Sequence, residues 1–123
     1  MAITKLGLVA NVRKREIRDI VAAVLDAVPR GVAVRAFEEA AALDARGRVE
    51  RVESLAGCDA VLALGGDGTL LAAARLVADE GIPVLGIKIR SLGFLTEDDP
   101  TRAVAELFDG RYRIQERMRL ETV

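Results

Sequence analysis

The chain has 123 residues, 51% hydrophobic and 30% charged, which describes one globular domain with a modest core and excludes a disordered chain. Its 18 Lys and Arg offset 19 Asp and Glu to a formal net charge of −1, and 3% of residues are aromatic, so a nucleic-acid partner is not expected. There is no histidine, which removes Ser-His-Asp triads, Cys-His pairs and His-ligated metal sites, and the single Cys58 can close no internal disulfide, as suits a reducing compartment. The apolar stretch at the N-terminus is too short for a signal-peptide core or a membrane span, so a cytoplasmic protein without a membrane partner is expected.

In chain order, Lys5–Val12 (KLGLVANV) reads as a buried strand, followed by the basic turn Arg13, Lys14, Arg15. Ile17, Ile20, Val21, Val24 and Val28 then recur at helical spacing until Pro29 stops them. Gly31–Phe37 reads as a second strand, and strand, helix, strand at this spacing is a βαβ unit, hence a parallel sheet. Glu38–Leu43 and Val49–Leu55 read as two short helices, with Asp44, Arg46 and Arg48 between them as solvated surface. Asp59–Leu64 is a continuous apolar strand that runs into Gly65-Gly66-Asp67-Gly68-Thr69. The helix after it, Thr69–Ala78, is apolar nearly all round and is expected to be buried, with Gly81 closing it. Ile82–Ile87 is a further strand, and Asp99-Pro100 marks a helix start, with Val104, Leu107 and Phe108 toward the core and Gly110 at its end. From Tyr112 to Leu120 apolar and charged residues alternate, as in a strand with one wet face.

The strongest chemical signal is Gly65 to Thr69. Glycines beyond the carboxyl end of a buried strand let backbone approach a phosphate, and the following helix offers unpaired N–H groups to an anion. The run is neither the dinucleotide fingerprint, since Leu71 stands where its third glycine belongs, nor a Walker A loop. A carboxylate among phosphate-binding glycines should hold a metal or take a proton; the alternative is Asp67 as the N-cap of the helix. The second signal, Ser91-Leu92-Gly93-Phe94-Leu95-Thr96, lies at the same end of the sheet, and Phe94 either lies against a flat base or packs under its loop.

GGDGTLLAAARL (65–76) followed by GIKIRSLGFLTE (86–97) resembles the NAD kinase family, as does LGLVANVRK (6–14). GGDGT alone is shared with lipid kinases of the diacylglycerol and sphingosine type, and loosely with phosphofructokinases. The LGFLT element separates them, because lipid kinases carry a Gly-Thr-Gly-Asn-Asp type sequence there. The resemblance implies a three-layer, Rossmann-like α/β domain with a mainly parallel sheet. It also implies a kinase that phosphorylates the 2′-hydroxyl of the NAD adenosine ribose to give NADP, using ATP (in some members polyphosphate) with Mg²⁺ or another divalent cation. Asp67 would be the general base, and Gly65, Gly66, Gly68 and Thr69 would shape the phosphate site. Phe94 would lie near the adenine with Leu70 beside it, and Arg13 and Lys14 join the candidate ligand-binding residues.

The sequence departs from the family pattern where Lys88 stands for Asn and Arg90 for Gly, two cations that either bind phosphate or close the pocket. The family also has a second, mostly β domain carrying an Asn-Glu motif for the NAD ribose. Residues 1–110 are therefore expected to form the nucleotide-binding domain and 111–123 the first strand of a β-rich domain. The apolar face of Tyr112, Ile114, Met118 and Leu120 is expected either to pair with a second copy, giving a homo-oligomer, or to pack back on the domain. Without the second domain's ribose contacts to hold the 2′-hydroxyl against Asp67, no turnover is expected from this chain alone. Two rival readings are a non-catalytic isolated or designed nucleotide-binding domain and a lipid-kinase-like domain.

Overall fold

Strands that are apolar on both faces need helices on both sides, and the chain folds accordingly. The computed structural model describes residues 3–88 and 100–108. Its elements are β1 (Lys5–Ala10), α1 (Ile17–Ala27), β2 (Ala33–Ala36), α2 (Glu38–Ala41), β3 (Val49–Arg51), β4 (Ala60–Gly65), α3 (Asp67–Val77), a 3₁₀ turn (Ala78–Glu80), β5 (Val84–Lys88) and α4 (Pro100–Phe108). The strands form one sheet in the order β3-β2-β1-β4-β5, and each neighbouring pair is parallel.

The side-chain alternation of a strand divides the core in two. On one face Leu6 and Leu8 of β1 and Leu62 and Leu64 of β4 pack against Val21, Val24 and Leu25 of α1 and Val104 and Leu107 of α4. On the other, Val61 and Ala63 of β4 and Val84 of β5 pack against Ala73 and Val77 of α3. Each large side chain buried this way contributes roughly 1.5–3 kcal/mol. The three-layer α/β architecture is thus the expected one. The chain winds outward from β1 through β2 to β3 in one direction, and from β4 to β5 in the other. The carboxyl ends of β1 and β4 therefore lie where the winding reverses, the place where open α/β sheets leave a crevice.

Three expectations are corrected. Val49, Val52 and Leu55 have helical spacing, yet Val49–Arg51 is an edge strand, registered from Val34↔Val49 to Ala36↔Arg51. Pairing with the free edge of β2 outweighs local preference; the strand is short and carries the charged Glu50 and Arg51, which blunts the edge. Second, Asp44 and Arg48 are anchored and not merely solvated. The Arg48 guanidinium donates to the carbonyls of Leu25 (2.7 Å), Val28 (3.1 Å), Pro29 (2.6 Å) and Val32 (3.4 Å), tying the end of α1 to the start of β2. The Asp44 carboxylate accepts the backbone N–H groups of Arg46 (2.9 Å), Arg48 (2.6 Å) and Val49 (2.8 Å). Burial pulls the Asp44 carboxyl upward, but these backbone donors hold it below its ordinary value. Arg46, exposed as expected, pairs with Asp26. Third, α3 is not buried all round: Ala73, Ala74 and Val77 face inward, while Leu71 is 42% and Leu76 50% exposed. A helix lying on one face of a sheet has only one side to bury.

Gly81 does close the 3₁₀ turn, in the left-handed conformation at φ 65°. The Asp99 cap, the LGFLT element with Phe94 and Arg90, Gly110, the Tyr112–Leu120 alternation and the 110/111 boundary lie outside the described residues.

Candidate functional site

The site is built from the two loops that leave β1 and β4 at the reversal of winding. After β1, Asn11 N–H donates to the Leu64 carbonyl at 2.9 Å, so the chain stays tied to the end of β4 before turning away. The Asn11 side-chain Oδ1 then accepts Arg13 N–H at 3.0 Å, and its carbonyl accepts Lys14 N–H at 3.1 Å. This Asx turn presents Arg13 and Lys14 at the carboxyl edge of the sheet. The signal in the sequence is Asn11, two residues before the basic run Arg13-Lys14-Arg15.

After β4, the glycines divide by the reason for their lack of a side chain. A Cβ on Gly65 would stand 2.3 Å from Thr69 Oγ1 and 3.1 Å from the Asn11 Cβ, so the fold itself demands glycine there. Among the described residues, a Cβ on Gly66 or Gly68 would meet nothing within 4 Å. Gly66 has ordinary extended backbone (φ −117°, ψ −161°), and Gly68 lies in the first turn of α3, where glycine costs up to about 1 kcal/mol relative to Ala. Among the described residues neither strain nor crowding accounts for the absence of a side chain at these two. The first helical bond of α3 runs from Leu70 N–H to the Gly66 carbonyl at 3.1 Å. The N–H groups of Asp67, Gly68 and Thr69 precede it and have no acceptor within the helix.

Gly66, Gly68 and Thr69 form one wall of a cavity of about 520 Å³ whose floor is the end of β1 and whose other walls include Arg13, Lys14 and Glu39. That volume is in the range of small-molecule sites. The structure thus brings Arg13 and Lys14 together with three of the expected glycine-loop residues. Gly65 lies beneath, holding Thr69 against the Asn11 turn. Leu70 is elsewhere, packed on β5, where a Cβ on Gly86 would come within 3.1 Å of it. Phe94 lies outside the described residues.

Asp67 does not cap α3. The N-cap is Gly66, no side chain caps the helix, and Asp67 is its first residue. Its carboxylate, 84% exposed, reaches toward β5 and stands 3.3 Å from Lys88 Nζ. Such an exposed pair contributes little to stability, but it places an anion and a cation together at the carboxyl ends of β4 and the edge strand β5.

An open parallel sheet with a glycine-walled, cation-bearing crevice at the reversal of its winding defines the class of doubly wound α/β domains that take phosphate-bearing ligands. The chain belongs to the ATP-NAD kinase family, whose N-terminal domain matches residues 22–112. It is 43% identical over 121 residues to the NAD kinase of Moorella thermoacetica, covering 94% of this chain and 39% of that protein. It is 41% identical over 96 residues to the NAD kinase of Nocardia farcinica (76% of this chain, 26% of that protein). Against the NAD kinase of Heliobacterium modesticaldum it is 53% identical over 66 residues, covering 51% and 23% respectively. The chain therefore spans well under half the length of these relatives.

Proposed function

We propose that this domain serves NADP formation, holding the phosphoryl donor, ATP, in the β1/β4 crevice and presenting Asp67 to the 2′-hydroxyl of the NAD adenosine ribose. The observation that carries the reading is the division among the glycines: both Gly66 and Gly68 line the crevice, and among the described residues nothing stands within 4 Å of a Cβ on either. Arg13, Lys14 and the first N–H groups of α3 supply positive charge for donor phosphates. Asp67 takes the hydroxyl proton as that oxygen attacks the terminal phosphorus and the bond to the leaving diphosphate breaks. Lys88 keeps the Asp67 carboxylate oriented in the absence of ligand. On this reading the acceptor lies on the β5 side, where Leu70 packs.

Among the described residues no three His, Cys, Asp or Glu side chains gather as a metal cage. A cation of the Mg²⁺ type, carried by phosphates, needs only one or two carboxylates, and Asp67 fits that requirement. Such an ion, when bound, neutralises charge on the transferring phosphoryl group.

A cytoplasmic setting goes with this reading, since Cys58 is a buried free thiol whose pKa burial pushes up. Among the described residues no helix is long and apolar enough to cross a membrane. Self-association of copies is also part of the proposal, supported by the exposed Leu71 and Leu76, and light scattering tests it. The deciding experiment is NADP formation from NAD and ATP by the full-length protein, with ATP affinity measured in an Arg13→Gln/Lys14→Gln variant. We expect turnover in the parent and affinity lower by about tenfold in the variant; no turnover, or unchanged affinity, overturns the reading.

A further inference from the structure

The crevice holds one group that phosphate binding does not explain. Glu39, exposed at the start of α2, lines the same cavity as Arg13, Lys14 and Gly68. A carboxylate repels a phosphate chain, so its presence in an anion site needs another partner. Its neighbour Glu38 is accounted for by Arg51, 3.6 Å away. The ion pairs among the described residues include neither Glu39 nor the two crevice cations. Glu39 follows the carboxyl end of β2, the strand on the far side of β1 from β4. Two strand spacings, about 10 Å, separate β2 from β4, a gap that the phosphate chain of a nucleotide bridges. A carboxylate beyond the second strand of a doubly wound sheet is well placed to accept hydrogen bonds from a ribose diol.

Resting on the reading of this crevice as the donor site, we propose that Glu39 recognises the ribose hydroxyls of a nucleoside triphosphate whose phosphates lie on the Gly66–Thr69 loop. It thereby makes the donor a nucleotide and discriminates against a bare polyphosphate chain. The hydroxyls donate to the Glu39 oxygens, while Arg13 and Lys14 neutralise the phosphates between. A polyphosphate filling the same crevice would bring negative charge against Glu39 with no hydroxyl to offset it.

The test compares equilibrium binding of ATP, 2′,3′-dideoxy-ATP and tripolyphosphate to the full-length protein and to Glu39→Gln, Glu39→Ala and, as a control, Glu38→Gln, with circular dichroism melting to verify folding. Parent and Glu38→Gln should prefer ATP over the dideoxy analogue by about tenfold, the effect of losing a hydrogen bond to a charged group. In Glu39→Ala that preference should fall to within about twofold, and tripolyphosphate should bind several-fold more tightly than to the parent. A ratio unchanged in both Glu39 variants, with ATP still bound by the parent, overturns the assignment of Glu39 alone. Failure of the parent to bind any of the three ligands overturns the donor-site reading and this inference with it.

Discussion

The two edges of the sheet use the same residue types in opposite ways. At the amino edge, Asp59 accepts the N–H groups of Thr4 (2.8 Å) and Lys5 (3.0 Å), Asp44 accepts three backbone donors, and Arg48 reaches four carbonyls. At the carboxyl edge, Arg13, Lys14 and Glu39 line an open crevice, and Asp67 pairs, among the described residues, with the exposed Lys88. Hydrogen bonds completed within the chain contribute to stability; polar groups left toward solvent by a rigid scaffold are those a ligand can take up. The comparison teaches that charge in this chain is no guide to function until its partners are known. It also predicts that amino-edge changes lower stability and carboxyl-edge changes lower activity.

The largest effect should come from Asp67→Asn. As the base, its loss should lower kcat of the full-length protein about 10² to 10⁴-fold, with melting temperature and ATP affinity preserved; steady-state kinetics beside thermal melts measure both. At the other edge, Arg48→Ala leaves carbonyls at the end of α1 without their donor and should cost about 2 kcal/mol. Urea unfolding reads that loss, and kcat per folded molecule should not move. A drop in kcat with stability intact would break the comparison.

Gly68→Ala sharpens it further, because the two properties should move in opposite directions. Among the described residues nothing within 4 Å obstructs the new methyl, so stability should rise by up to about 1 kcal/mol while ATP binds more weakly. Thermal melting and calorimetry on one preparation test both halves; tighter ATP binding would remove the ligand-based explanation of that glycine.

Two smaller effects follow. Backbone hydrogen bonds from Thr4 and Lys5 hold the Asp59 carboxyl below its ordinary value of 3.8. A folded pKa lowered in this way contributes stability above the unfolded value, and the contribution is lost as pH falls through the folded one. The parent should therefore exceed Asp59→Asn in stability by a constant amount above about pH 5, with the gap closing below about pH 4, as urea midpoints across that range will show. Last, Lys88→Asn should leave the melting temperature unchanged, since an exposed pair contributes little. It should flatten the dependence of ATP affinity on salt; an unaltered salt slope would make Lys88 a surface charge without a role in binding.

Much of the fold was legible in the sequence because its signals are local. Continuous apolar strands, the period of Ile17, Val21, Val24 and Val28, and glycine after a buried run each report their own element. They sufficed for a parallel α/β sheet and for a glycine loop between strand and helix at Gly65–Thr69. What the sequence could not reveal was set by contacts distant along the chain. Val49–Arg51 became a strand because the edge of β2 was free. Asp44 and Arg48 acquired structural roles because α1 ends beside them in space. The fold alone separated Gly65, bare because Thr69 lies against it, from Gly66 and Gly68, bare toward the crevice. The order β3-β2-β1-β4-β5 likewise carried Glu39 to the crevice that Gly66 and Gly68 line. Residue type and spacing determine which elements form; which charges meet a partner, and which are left for a ligand, depends on how those elements pack.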